Sequence, residues 1–184
     1  MGECLMKRLL LLAAVLMSVF AATEAAAQTV ILVRHAEKAE EGGADPSLSE
    51  AGRRRATMLM LNVANAQPRY IITTPLRRTA ETAAPLAHYA SLTPDVIGFE
   101  DGVAAHVDAV IARVRALPRN AVVLVVGHSN TIPLIARGLG YPEAADMPEC
   151  EFDRLTALRI TRSGVHGMVD RYGERSACPA SPEG

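Results

Sequence analysis

A short apolar run that ends in charged side chains, VILVRHAEK at residues 30–38, constrains this chain more than any other stretch. Its four apolar residues, three of them β-branched, predict a short buried β-strand. Arg34 and His35 follow directly, and in open α/β sheets ligands bind beyond the carboxyl ends of strands. An imidazole beside a guanidinium there suits a nucleophile next to an anion-binding group. The alternative interpretation is a charged turn after a core strand.

Residues 1–27 have the pattern of a secretory signal peptide. Lys7 and Arg8 precede an apolar run at 9–22, and small residues at 25–27 fit a cleavage site. The run is shorter than the roughly 20 apolar residues of a membrane span. We therefore expect a periplasmic or secreted protein that meets a membrane only as a nascent chain, an uncleaved anchor being the alternative.

The rest of the chain is predicted to be one domain over 28–176, followed by a disordered tail at 177–184. The net charge is −1, aromatic residues make up 4% and Trp is absent, so we expect no nucleic-acid partner. Beyond the signal peptide the cysteines are Cys150 and Cys178, which either pair in an oxidising compartment or remain free thiols. Their spacing does not suit a structural zinc site.

Two further strand ends carry polar side chains. A strand at 70–74 runs into PLRRTAETA, where cations and hydroxyl groups would meet the start of a helix that Pro85 is expected to disturb. The run at 121–126 is the strongest strand signal, and it ends in GHSNT before a helix at 132–139. A second histidine, His128, is thereby placed just beyond a strand.

The remaining elements follow from local patterns. Helices are predicted from Ser49 to about residue 66 and over 103–114, and strands at 156–161 and 165–171. Consecutive residues on a helix point in different directions, so Arg53, Arg54 and Arg55 are interpreted mainly as a solvated face.

Taken together, RHAEK, TTPLRRTAETA and VVGHS, in that order, resemble the signature segments of the histidine phosphatase superfamily, also called the phosphoglycerate mutase-like fold. LSEAGRRRA at 48–56 is similar to the first helix of that family. The resemblance implies a three-layer α/β/α sandwich with a mostly parallel central sheet. The small secreted or periplasmic members are the most similar.

The resemblance also implies roles for individual residues. His35 would be the nucleophile and become transiently phosphorylated, while Arg34, Arg78 and His128 would bind the phosphoryl oxygens. Phosphoryl transfer depends mainly on positioning and charge neutralisation, and guanidinium groups supply donors of suitable geometry. The substrate would be a small phosphorylated molecule or a phosphoprotein. We expect no cofactor and no metal ion, because two arginines would repel a cation.

A proton donor for the leaving group is expected from a carboxyl group. The resemblance places it between the second and third segments, where Glu100 is the first candidate and Asp101 and Asp108 are alternatives. Solvated charges near a helix N-terminus explain these residues equally well. Glu37, within the first segment, is expected to orient a basic partner. The stretch between Glu100 and His128 is short, and this favours hydrolysis over mutase chemistry.

A serine esterase is the rival interpretation. GHSNT resembles the G-x-S-x-G turn that exposes a nucleophilic serine, here Ser129, and Asp153 and His166 follow in the expected order. Thr131 stands in place of the second glycine, however, and RHAEK would have no role. A non-catalytic protein that keeps the phosphate pocket is a third possibility.

Overall fold

A computed structural model describes residues 27–178. Its centre is a six-stranded sheet with the spatial order β3-β2-β4-β1-β5-β6. The first four strands in this order are parallel, and the last two are antiparallel to their neighbours. The strands are β1 (Gln28–Arg34), β2 (Tyr70–Thr73), β3 (Asp95–Val96), β4 (Val122–Gly127), β5 (Arg154–Ile160) and β6 (Val165–Arg171).

In the described part of the chain, four α-helices cover the two faces of the sheet. They are α1 (Glu50–Val63), α2 (Arg77–Ala90), α3 (Gly102–Ala116) and α4 (Ile132–Leu139), and a 3-10 turn at Ala64–Ala66 follows α1. None of the helices within residues 27–178 is long and apolar enough to cross a membrane.

Side chains along the central strands point alternately to the two faces of the sheet, and each face has its own hydrophobic core. Val30 and Leu32 pack with α3 and α4 on one face, whereas Ile31 and Val33 pack with α1 and α2 on the other. Successive side chains of a strand point to opposite faces, so a continuous apolar run such as β1 fits a sheet that is covered on both sides. The predicted three-layer α/β/α sandwich with a mostly parallel sheet is confirmed.

The start of α1 is held close to the segment after β1. The Ser49 hydroxyl accepts a hydrogen bond from the Gly52 N–H at 3.0 Å, so Ser49 caps the helix as predicted. A Cβ on Gly52 would lie 2.1 Å from the Glu37 carbonyl oxygen. Glycine is therefore required where α1 approaches the residues that follow β1.

Two local expectations need correction. Helix α2 continues through Pro85 to Ala90, with Ala83 and Leu86 buried beside the proline. Core packing of this face offsets the hydrogen bond that a proline removes. Arg55, expected on a solvated face, is buried, because its guanidinium binds Glu37.

The C-terminal end of the described chain is tied to the loop that precedes β5. Cys150 and Cys178 form a disulfide, and the Ser176 hydroxyl accepts hydrogen bonds from the N–H groups of Phe152 and Asp153. Of the expected disordered tail, residues 177 and 178 are described, and the disulfide holds the second of them. Residues 179–184 and the predicted signal peptide up to residue 26 lie outside the described residues.

Candidate active site

Polar side chains converge on a cavity at the carboxyl ends of β1, β2 and β4. Strands β1 and β4 are parallel neighbours with Arg34 opposite Gly127, so the residues after them, His35 and His128, emerge side by side. The cavity measures about 370 Å³. It is lined by Arg34, His35, Lys38, Leu76, Arg78, Phe99, His128, Ser129, Asn130 and Glu149. The structure thus brings together four of the five predicted site residues.

His35 is buried and held in one orientation. Its backbone N–H donates to the Gly127 carbonyl at 2.9 Å, and the residue is 4% exposed. Its Nδ1 lies 2.8 Å from the Ala36 carbonyl oxygen, which can only accept, so Nδ1 carries the proton. Nε2 therefore keeps its lone pair. Burial, reinforced by the charges of Arg34 and Arg78, lowers the pKa of His35 to about 4 despite the bond to Ala36.

His128 lies against His35 with the ring centroids 5.2 Å apart. Its Nε2 is 3.2 Å from the Thr74 hydroxyl oxygen, which in turn lies 2.9 Å from the hydroxyl of Thr79. Burial, followed by the charges of His35 and Arg78, lowers the pKa of His128 to about 3. Both imidazoles are accordingly neutral at physiological pH.

Arg34 is held in place by contacts with the loop between α4 and β5. Its Nη1 donates to the carbonyl oxygens of Pro148, Glu149 and Glu151 at 3.2, 2.6 and 3.3 Å. The ring of Phe152 lies 4.1 Å beneath the guanidinium carbon, within cation–π range. Nη2 donates to the Glu149 carboxylate at 2.8 Å. Backbone and aromatic contacts thus fix the guanidinium plane, and a carboxylate takes up one of its outward donors.

Arg78 projects from the first turn of α2. Its side chain is 19% exposed and lies 3.8 Å from the Asp45 carboxylate, a distance at the limit of an ion pair. Its Nε has no acceptor among the described residues. Arg78 and Lys38 together give the cavity positive charge that protein carboxylates neutralise only in part, which suits a dianionic phosphoryl group.

Glu149 is a lining residue that the sequence did not predict. It is the one carboxylate among the lining residues, and it accepts hydrogen bonds from Arg34 and from the Ser129 hydroxyl. These two donors lower the pKa of the Glu149 carboxyl. Glu149 stands in an irregular loop without a recognisable pattern, so no local signal could have found it. Phe99 and Phe152 were missed for the same reason.

Glu100 is the predicted site residue that the structure leaves out. It is exposed in the turn before α3, one residue after Phe99, and does not line the cavity. Its carboxylate folds back over Gly98, where a Cβ would lie 2.1 Å from a carboxylate oxygen. Asp101 and Asp108 are also exposed. Glu100 as proton donor stays a prediction that this geometry does not favour.

Glu37 has the basic partner that its position led us to expect. Its carboxylate accepts from Arg55 Nε and Nη2 at 2.9 and 2.7 Å, and Arg55 Nη1 donates to the Tyr172 carbonyl at 3.0 Å. The pair joins the segment after β1 to α1 and to the residue after β6. The pair thereby helps to hold in place the segment after β1, which carries His35.

The serine esterase triad is not assembled. The Ser129 hydroxyl donates to Glu149, and the Asp153 carboxylate binds Arg171 at 2.8 Å. His166 lies opposite Arg159 on β5. Arg159 is about 16 Å along that strand from Arg154, the residue that follows Asp153, so His166 and Asp153 are far apart. Among residues 27–178 no three His, Cys, Asp or Glu side chains are grouped as a metal site either.

Part of the chain matches a known protein family by sequence. The sequence model of the family described as histidine phosphatase superfamily (branch 1) matches residues 30–97. This segment contains Arg34, His35 and Arg78. No curated protein matches the chain by sequence.

Solved structures share the fold. Protein histidine phosphatase SixA in complex with tungstate aligns with a TM-score of 0.60 at 16% identity, over 80% of this chain and 96% of that one. A putative phosphohistidine phosphatase SixA from Nakamurella aligns at 0.56 and 22% identity, over 84% and 99%. Mycobacterial glucosyl-3-phosphoglycerate phosphatase with VO3 aligns at 0.57 and 18%, over 78% and 98%.

Proposed function

We propose that this chain, which has the fold of the histidine phosphatase superfamily and matches its model over residues 30–97, is a phosphatase that forms a phosphohistidine on His35. The orientation of the His35 ring carries the proposal. Because Nδ1–H is committed to the Ala36 carbonyl, the lone pair of Nε2 remains for attack on phosphorus. The lowered pKa of His35 keeps this lone pair unprotonated at neutral pH.

The reaction has two steps. His35 Nε2 attacks phosphorus, the bond to the leaving oxygen breaks, and that oxygen takes a proton from a general acid or from water. A water molecule then attacks phosphorus and passes a proton to the group that protonated the leaving oxygen or to a phosphoryl oxygen. The P–N bond breaks, and its electron pair returns to Nε2 as inorganic phosphate leaves. Arg34, Arg78 and His128 would bind the three phosphoryl oxygens, on which negative charge is concentrated in both steps.

The substrate is a phosphorylated molecule, and we propose a small phosphate monoester or a phosphoprotein. Among the similar structures, one protein is named for phosphohistidine and another for glucosyl-3-phosphoglycerate. A panel of aryl phosphates, sugar phosphates and a phosphohistidine peptide would separate the classes. Transfer to an added alcohol or sugar in place of water would contradict hydrolysis as the main reaction.

The nucleophile is tested by single substitutions. His35→Ala should abolish turnover of an aryl phosphate and the acid-labile, base-stable phosphate trapped on the wild-type protein. Arg78→Ala should lower the rate on the order of 10²–10³, as removal of one preorganised donor typically does. Ser129→Ala should lose much less. Loss of activity in Ser129→Ala with most activity kept in His35→Ala would overturn the assignment.

Export to the periplasm or the medium is proposed from the pattern at residues 7–27 and is supported by the Cys150–Cys178 disulfide, because oxidising compartments favour such bonds. N-terminal sequencing of exported protein should start at or near Gln28. A mature protein that retains residues 9–22 would contradict the proposal.

A further inference from the structure

We propose that Glu149 is an internal competitor for the substrate phosphate: its carboxylate occupies a donor of Arg34 that the phosphoryl group needs, together with the neighbouring Ser129 hydroxyl, and it must leave Arg34 before substrate binds. The inference rests on the proposed function, because it concerns the same cavity. It makes Glu149 a determinant of affinity.

The first observation is what Glu149 contacts. One carboxylate oxygen accepts from Arg34 Nη2 at 2.8 Å, and the other accepts from the Ser129 hydroxyl. Arg34 is one of the residues expected to bind phosphate, and Ser129 directly follows His128. A carboxylate that bridges a guanidinium and a hydroxyl makes the same kinds of hydrogen bonds as two phosphoryl oxygens.

The second observation is that Arg34 does not need Glu149's carboxylate in order to be oriented. Three backbone carbonyl groups bind Nη1, and the Phe152 ring lies beneath the guanidinium. Removal of the carboxylate would leave all of these contacts in place. The donor on Nη2 would then face the cavity with its direction unchanged.

The third observation is that the Glu149 side chain can leave easily. The side chain is 82% exposed, whereas that of Arg34 is 6% exposed. The carboxylate can swing into water because it is already largely solvated, and Arg34 keeps its three backbone carbonyl partners when it does so. An arriving phosphoryl dianion carries more charge than the carboxylate and can displace it from both donors.

Phosphate affinity tests the inference directly, with inorganic phosphate as the probe and titration calorimetry as the measurement. Glu149→Gln removes the charge and Glu149→Ala removes the acceptor as well. Both should tighten phosphate binding, by about three- to tenfold, and lower KM for an aryl phosphate by a similar factor without raising kcat.

Asp146→Asn is the matched control, because Asp146 lies in the same loop, is 90% exposed and binds Arg137 outside the cavity. It should change phosphate affinity by less than twofold. Thermal unfolding of the three variants should agree within a few degrees, so that altered affinity is not altered folding.

The opposite result is informative. Weaker or unchanged phosphate binding in both Glu149 variants would overturn the inference, and weaker binding would show that Glu149 positions Arg34. Tighter phosphate binding in a protein that never traps phosphate on His35 would instead sustain the inference and refute the proposed function.

Discussion

The rings of His35 and His128 meet edge to face at the ends of two adjacent parallel strands, with their centroids 5.2 Å apart. Burial disfavours the charged form of each ring, and each charged ring would repel the other as well as Arg34 and Arg78. The active site is therefore built around two imidazoles that the folded state keeps neutral.

This neutrality predicts a loss of stability in acid. The pKa of His35 falls from 6.5 to about 4 on folding, so the unfolded chain binds more protons than the folded chain between these values. The stability that the neutral His35 ring gives the folded state is fully present above pH 6.5. It is lost as the pH falls towards 4, because protons bind the unfolded chain in preference. Melting temperatures of the phosphate-free protein should decline over this range.

The variant His128→Gln provides the comparison for the pH experiment. It removes one of the buried imidazoles whose pKa is lowered, the one at about 3, and should therefore flatten the pH dependence of the melting temperature. An equal slope in wild type and variant would show that other groups govern the acid response.

The Arg55–Glu37 pair predicts a sharp difference between neighbouring arginines. Arg55→Ala leaves the Glu37 carboxylate, whose side chain is 24% exposed, without its bidentate partner, and we expect a loss of about 3 kcal/mol. Arg54→Ala removes an exposed pair with Glu50 and should cost less than about 0.5 kcal/mol. Urea denaturation measures both, and equal losses would mean that Arg55 contributes no more than a surface charge.

The disulfide predicts a stability that depends on redox state. Cys150 and Cys178 are 28 residues apart in sequence, and closing a loop of this length stabilises a protein by about 3.6 kcal/mol in the chain-entropy model. The double variant Cys150→Ser/Cys178→Ser should have a lower melting temperature than the oxidised wild-type protein. Dithiothreitol should not change the melting temperature of this variant. A wild-type melting temperature that the reductant leaves unchanged would show that the bond does not form.

Activity is predicted to be independent of metal ions. Arg34, Lys38 and Arg78 line the cavity and already supply the positive charge that a phosphoryl group requires. Hydrolysis of an aryl phosphate should survive exhaustive chelation and be inhibited by vanadate. Loss of activity on chelation with rescue by one divalent metal would contradict this expectation.

The local sequence was sufficient for the parts of the fold that depend on local patterns. The continuous β-branched runs predicted β1 and β4, Ser49 predicted the start of α1, and the helix at 132–139 has the predicted bounds. The histidines could be placed because each directly follows a buried strand, and parallel neighbouring strands end at the same edge of the sheet.

Tertiary structure decided the contacts between segments that are distant in sequence. Arg55 became buried because Glu37 and Tyr172 come to its side of α1, and Glu149 reached the cavity because the loop before β5 closes over Arg34. Glu100, a candidate by its place in the chain, was left outside. A local pattern specifies which way a strand or helix faces, whereas the partner of a charged side chain depends on how the elements pack.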